Sequence, residues 1–341
     1  MVVYELDKFD KKVYEEELNE FLPKNIVDSH VHICKKEHCF DFQVENPNKW
    51  IYRVGAFLEY EDLAKTYKNL FANQKTIPVL LGNCSGKIHE SNDYTSEIIK
   101  KTGCPGLFLT SYDMNAEFLE EKVLSGGFQG LKPYCDNCNP SVNGADADIY
   151  DFIPEEHFKV ADKHGWKIVL HISKRDRLKN PDNVKRLLEI EQKFPNAKVI
   201  VAHIGRAYSP EDIGDALEIL GKNTTNMLFD FSANVLDRAI RECIEQVGTK
   251  RVLFGTDMPA AKMKMYRISE NGNYINVVPR GLYGDVSDDP HMRETDEENV
   301  TNFTYEILRS FRRVAKDLTL TKKDVEDVMC NNAANLYGIK F

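Results

Sequence analysis

No apolar run in this chain approaches the roughly 20 residues that a membrane helix needs, so no spanning segment is expected. The start, Met1-Val2-Val3-Tyr4-Glu5-Leu6-Asp7, is acidic and lacks the charged-then-apolar order of a signal peptide. A basic stripe is also missing: the formal net charge is −9 with both signs interspersed, which argues against nucleic acid and membrane surfaces as partners. These absences together point to the cytoplasm and to a small-molecule partner. No glycine-rich phosphate loop follows any strand-like run. No linker interrupts the 341 residues, which read as one domain, 1–341, long enough to bury a large core. Cysteine is sparse for the length, with eight residues, so reduced thiols are expected in place of a disulfide framework. Four of them, Cys34, Cys39, Cys135 and Cys138, could gather near one face as a structural zinc site or a labile disulfide. The loose Cys34–Cys39 spacing favours free thiols in two loops.

What is present is alternation. After a charged, helical start closed by Pro23, short apolar runs recur at 25–33, 76–83, 106–111, 128–134, 166–173, 197–205, 227–232 and 251–257. Amphipathic stretches of helical period lie between them, at 57–71, 94–101, 116–124, 154–163, 182–194, 210–220 and 236–247, and two more follow at 302–316 and 322–336. Asn180-Pro181-Asp182 and Ser209-Pro210-Glu211-Asp212 carry start signals, and Gly338 a stop. Strands alternating with helices indicate an α/β protein with a parallel sheet. Eight such units suit a (β/α)8 TIM barrel from about residue 25 onward, with an N-terminal helical extension; an open doubly wound sheet is the runner-up. Long connections at 34–55 and 259–299 leave the first and eighth strands at the ends where barrel enzymes build their sites.

The chemistry-bearing residues close these runs. Asp28-Ser29-His30-Val31-His32 ends the first, and alternation sets Asp28, His30 and His32 on one side and Val27, Val31 and Ile33 on the other. His171, His203 and Asp257 end the fifth, sixth and eighth runs. In a closed barrel strands eight and one are neighbours, so His30, His32, His171 and Asp257 can converge. Imidazoles with a carboxylate suit one divalent ion, Zn²⁺ first, with Mn²⁺, Fe²⁺ or Ni²⁺ also compatible. Such an ion lowers the pKa of a water toward about 7. Asp257 would hold the metal, take a proton, or both, and His203 would serve as acid/base. His38, His89, His157, His164 and His291 lack a strand-end place and read as surface or capping residues.

Asp28-x-His30-x-His32, the strand-end His171 and His203, and Gly255-Thr256-Asp257 together resemble the amidohydrolase superfamily. More narrowly they are similar to the amidohydrolase-related family that includes aminocarboxymuconate-semialdehyde decarboxylase. The resemblance runs from about residue 25 to the end. It implies a TIM barrel with one metal at His30, His32, His171 and Asp257, and a His203 that assists the chemistry. Some superfamily members bridge two metals with a carboxylated lysine at the fourth strand; here Lys132 and His203 would then help hold a second ion. Gly130-Leu131-Lys132-Pro133 is closer to the one-metal relatives, in which Lys132 is free to meet an anionic substrate. The resemblance also assigns Arg53 to a substrate carboxylate.

Three functions follow as alternatives. A metal-dependent hydrolase would attack the carbonyl of a lactone, amide or ester, and this is the favoured expectation. A metal-dependent decarboxylase would release carbon dioxide from an unsaturated or aromatic acid. A non-catalytic metal binder is weakened by the full set of ligands. A homodimer is compatible with all three.

Overall fold

The computed structural model describes residues 3–341 except 46 and 48; the first two residues and two positions of the 34–55 connection therefore lie outside the described residues. Eight short strands follow in order: β1 Asn25–His32, β2 Lys75–Leu81, β3 Phe108–Thr110, β4 Gly130–Pro133, β5 Lys167–Leu170, β6 Lys198–Val201, β7 Leu228–Asp230 and β8 Val252–Leu253. All pair in parallel, β1 with β2, and β3 through β8 in sequential order. The eight are therefore α/β as expected, but they form a two-stranded and a six-stranded sheet in place of one continuous closed ladder. Single parallel bridges span both seams, Leu80 to Gly106 and Val31 to Met258. At the second seam Ser29 N donates to the Phe254 carbonyl (2.9 Å) and Asp257 N to the His30 carbonyl (2.7 Å). That seam brings Asp257 beside His30 and His32.

Two cores result. Val27, Val79, Leu81, Leu107, Val169, Ile200 and Leu253 pack together among the strands, joined by Ala333 and Tyr337 of the last helix. The larger core lies between the strands and the surrounding helices. Asn180 caps the helix Pro181–Lys193 by accepting from Asp182 N (3.0 Å), as its sequence foretells. The second proline signal is weaker than expected. Pro210 opens a single 3-10 turn, Gly214 takes a left-handed φ of +57°, and the helix proper starts at Ala216. The 259–299 connection holds a sheet of its own, β9 Tyr266–Glu270, β10 Asn273–Pro279 and β11 Met292–Thr295. Among the described residues no helix is long and apolar enough to cross a membrane.

Candidate metal centre and its pocket

The geometry of β1 departs from simple alternation. Its register with β2 shifts between Asp28 and Val31, a bulge that changes which face follows. Val27 packs among the strands, whereas Val31 and Ile33 join the outer core, so these three do not share a side as alternation predicts. Asp28 is likewise turned away from the histidines. It accepts from Tyr67 OH (2.6 Å), Thr256 Oγ1 (2.6 Å) and Thr256 N (2.8 Å), tying β1 to an outer helix and to the residue before Asp257. Burial pushes its pKa up to about 6, against the pull of those donors. Gly255 is required beside it, since a Cβ there would lie 2.7 Å from His30 Cβ.

Three imidazoles are held by the same device. His30 directs Nδ1 at Asp230 Oδ2 (3.0 Å), His32 directs Nδ1 at the Gly82 carbonyl (2.8 Å), and His203 directs Nδ1 at the Ser232 carbonyl (2.9 Å). An acceptor at Nδ1 fixes the proton there and leaves the Nε2 lone pair free. Asp257 Oδ1 stands 3.6 Å from His30 Nε2 and 3.4 Å from His32 Nε2. One donor atom each from His30, His203 and Asp257 lies within 4.8 Å of the others, the spacing of groups that share a cation. His203 thus enters the inner group although the sequence placed it beside the metal, and of the expected ligands both His32 and His171 stand outside that group. The His171 ring is 5.3 Å from His203 and 4.9 Å from Tyr134, and its Nδ1 is buried without a partner.

Burial and neighbouring charges set the protonation of these groups. Burial and the Lys132 ammonium push His30 down to about 3, and burial with Arg206 holds His171 well below the ordinary imidazole value. Burial opposes a charge on His32 too, yet the Cys84 thiol and the Asp257 carboxylate push it up to about 10. Burial would raise Asp257, but the facing imidazoles hold it below the usual carboxylate range. Lys132 is buried near the end of β4 with Nζ 3.4 Å from His30 Nε2.

His203 owes its position to a left-handed turn. Residues 203–206 all have positive φ, between +49° and +63°, and only Gly205 among them is a glycine. Such backbone costs about 1–3 kcal/mol per residue and survives where surrounding bonds over-determine it. Here Asp230 Oδ1 accepts from His203 N (3.0 Å), and Asn234 Nδ2 donates to the carbonyls of His203 (3.3 Å) and Ala207 (2.9 Å). The turn delivers His203 and Arg206 to one cavity of about 490 Å³, which Lys132, His171 and Asp257 also line.

Other sequence expectations are corrected. Arg53 does not line the cavity; its guanidinium pins the first long connection to Asp288 (2.8 Å) and to the Asp285 carbonyl. His291 is no surface cap, because it stacks on Tyr274 at 4.1 Å in the cavity wall. His38 and His157 are buried. The four cysteines are free thiols, the favoured reading of the sequence, and among the described residues no metal-holding group includes one. Cys34 and Cys39 both donate to the Ala56 carbonyl, while Cys138 donates to that of Val142. Asp230, Ser232, Arg206 and Arg267 went unread. Asp230 is the last residue of β7 and lies inside the apolar run 227–232, so a search for carboxylates near the ends of such runs would have found it.

The pattern of the amidohydrolase family matches residues 116–339, about two thirds of the chain and including Lys132, His171, His203 and Asp257. The chain belongs to that family. No curated protein sequence matches it. Among solved structures this amidohydrolase is similar to a 2,6-dihydroxybenzoate decarboxylase complexed with 2,6-dihydroxybenzoate. The identity is 15%, the coverage 93% of this chain and 100% of that one, and the TM-score 0.58. It is similar to a probable 2-pyrone-4,6-dicarboxylic acid hydrolase from Acinetobacter baumannii at 13% identity, 92% and 100% coverage and a TM-score of 0.58. An amidohydrolase from Burkholderia multivorans with bound zinc matches at 12% identity, 92% and 99% coverage and a TM-score of 0.59. At these identities the likeness speaks to the fold.

Proposed function

We propose that this amidohydrolase is a metal-dependent hydrolase of a small anionic carbonyl compound, a lactone, amide or ester, acting at the mouth of a (β/α)8 barrel. One divalent ion, Zn²⁺ first, would be held by His30, His32 and Asp257 with His171. The observation that carries this is the approach of Asp257 Oδ1 to within 3.6 Å of two imidazole Nε2 atoms whose Nδ1 atoms are already committed. The donor set fits a borderline cation, and the partnerless His171 Nδ1 fits a site with a coordination partner still to come. A bound ion supplies Lewis acidity there, polarising a carbonyl and lowering the pKa of a water toward about 7. Asp257, ionised at neutral pH, accepts the proton of the attacking water. His203 is kept neutral by burial and keeps Nε2 free, so it can carry that proton to the leaving oxygen or nitrogen. Lys132 offers a positive charge to the substrate.

Decarboxylation of an aromatic or unsaturated acid is the second reading, favoured by the likeness to the dihydroxybenzoate decarboxylase, whose TM-score of 0.58 equals that of the hydrolase. Protein loaded with zinc should bind one equivalent by elemental analysis and open rings in a lactone panel without releasing carbon dioxide from an acid panel. Asp257→Asn and His32→Ala should lower metal content or turnover about 100-fold with the melting temperature of the metal-free protein preserved. Metal content and activity unchanged in both variants would refute the assignment, and carbon dioxide release alone would select the lyase.

A further inference from the structure

We propose that Arg206 and Arg267 form the anion clamp of this pocket, and that the ligand they take is a planar carboxylate seated against Tyr208 and Tyr274. The inference rests on the reading of the cavity as a substrate pocket. Both arginines line it, and neither has a carboxylate within ion-pairing distance among the described residues. Arg177 provides an internal comparison. It sits over the same two tyrosine rings, at 5.5 and 5.4 Å, but has Asp212 Oδ2 at 2.7 Å. Arg267 lies over Tyr208 (5.0 Å), Tyr274 (4.7 Å) and Phe303 (4.8 Å) without any such partner.

Four aspartates line the cavity, and each faces another group: Asp257 faces His30 and His32, and Asp136 accepts from Ser85 Oγ (3.4 Å). Asp288 binds Arg53, and Asp289 accepts from the backbone of Trp50 (2.9 Å) and of His291 (2.9 Å). Arg267 is half-buried in the cavity wall, where a guanidinium stays charged and is only partly hydrated, so its place beside open space without a counter-ion points to an anion that arrives from outside. Its orientation is already set. Nε donates to Asn276 Oδ1 (2.9 Å) and Nη1 to the Ala233 carbonyl (2.9 Å), which leaves the Nη2 edge for a ligand. Arg206 is fixed in turn through Nη1 to the Ile172 carbonyl (3.3 Å) and by the left-handed turn it ends. Two fixed guanidiniums match the in-plane lone pairs of a carboxylate, and Tyr208 and Tyr274, which line the same cavity, give a flat ring an aromatic wall. Arg267 comes from β9 of the inserted sheet, so specificity would be carried by an element outside the eight-strand repeat.

The test is calorimetric titration of zinc-loaded protein with benzoate and with its neutral isostere benzamide. In Arg206→Gln and Arg267→Gln the benzoate Kd should weaken at least tenfold, the benzamide Kd should change less than twofold, and metal content should stay the same. Arg267→Lys should recover part of the loss, which guards against a misfolded glutamine variant. Equal losses for both ligands would reveal a merely structural role and overturn the clamp. So would benzoate binding indifferent to both arginines, or absent from the wild type. Failure of the wild type to take up zinc would sink the hydrolase reading alone, because the arginine dependence of benzoate binding would still be measured.

Discussion

Asp230 receives the Nδ1 side of His30, the backbone N–H of His203 and the hydroxyl of Ser232 at once. Burial would raise its pKa, yet those partners hold it well below the carboxylate range, so it stays ionised. It reaches no cavity itself; it positions two imidazoles that do. Asp230→Asn should therefore keep the fold but weaken metal affinity by about 10–100-fold, read as the zinc Kd in a competition titration with a chromophoric chelator. The candidate ligands were legible because each closes an apolar run. Arg206 was hidden for a physical reason: the sequence reading carried the sixth strand on to Gly205, and a residue's direction after a left-handed turn is set by tertiary hydrogen bonds rather than by spacing. Arg53 misled because position in a loop says nothing about which carboxylate the side chain will meet first.

At the scale of elements, the turn at 203–206 is the most exacting piece of backbone. A Cβ on Gly205, at φ +61°, would fall 2.7 Å from Leu178 Cδ1 and 2.9 Å from Leu178 Cβ. Gly205→Ala should cost about 1–3 kcal/mol by urea denaturation, because strain and overlap act together there. Turnover should fall further than stability does, since His203 and Arg206 both hang on this turn. The strands were readable as apolar runs bounded by polar residues, and each starts close to where expected. They end early because the carboxyl ends leave the sheet to build the site. The inserted sheet was missed although its signal was present: Asn271-Gly272, both with positive φ, joins Tyr266–Glu270 to Asn273–Pro279, two stretches of alternating residues. A loop-like composition rich in Gly, Asn and Asp masked it.

For the whole molecule, alternation foretold the order of eight parallel strands, but not how the ring is joined. The β1 bulge and the single bridges at two seams are tertiary outcomes that a period of two does not encode. Global stability should show an acid-sensitive joint where β8 meets the C-terminal helices. Asp327 bonds Lys250, Lys323 (2.6 Å) and Asn331 (2.9 Å). Burial raises its pKa, but those partners outweigh it and bring it down to about 2. A depressed carboxylate stabilises the fold above its unfolded value near ~3.9 and stops doing so as pH drops through its folded value. Urea midpoints should thus decline more steeply between pH 4 and 2 in the wild type than in Asp327→Asn. Parallel slopes would assign the acid sensitivity to other groups.

Tyr337 and Ala333 press into the apolar side chains beneath the histidines, so the floor of the chamber is stoppered by the tail of the chain itself. The cavity at Asp257 is walled in part by described residues of the 34–55 and 259–299 connections, from Trp50 and Gly55 to Pro259 and His291. What fits above the histidines is therefore shaped by two stretches that stand outside the strand-and-helix repeat, while the base beneath is set by the repeat and its last helix.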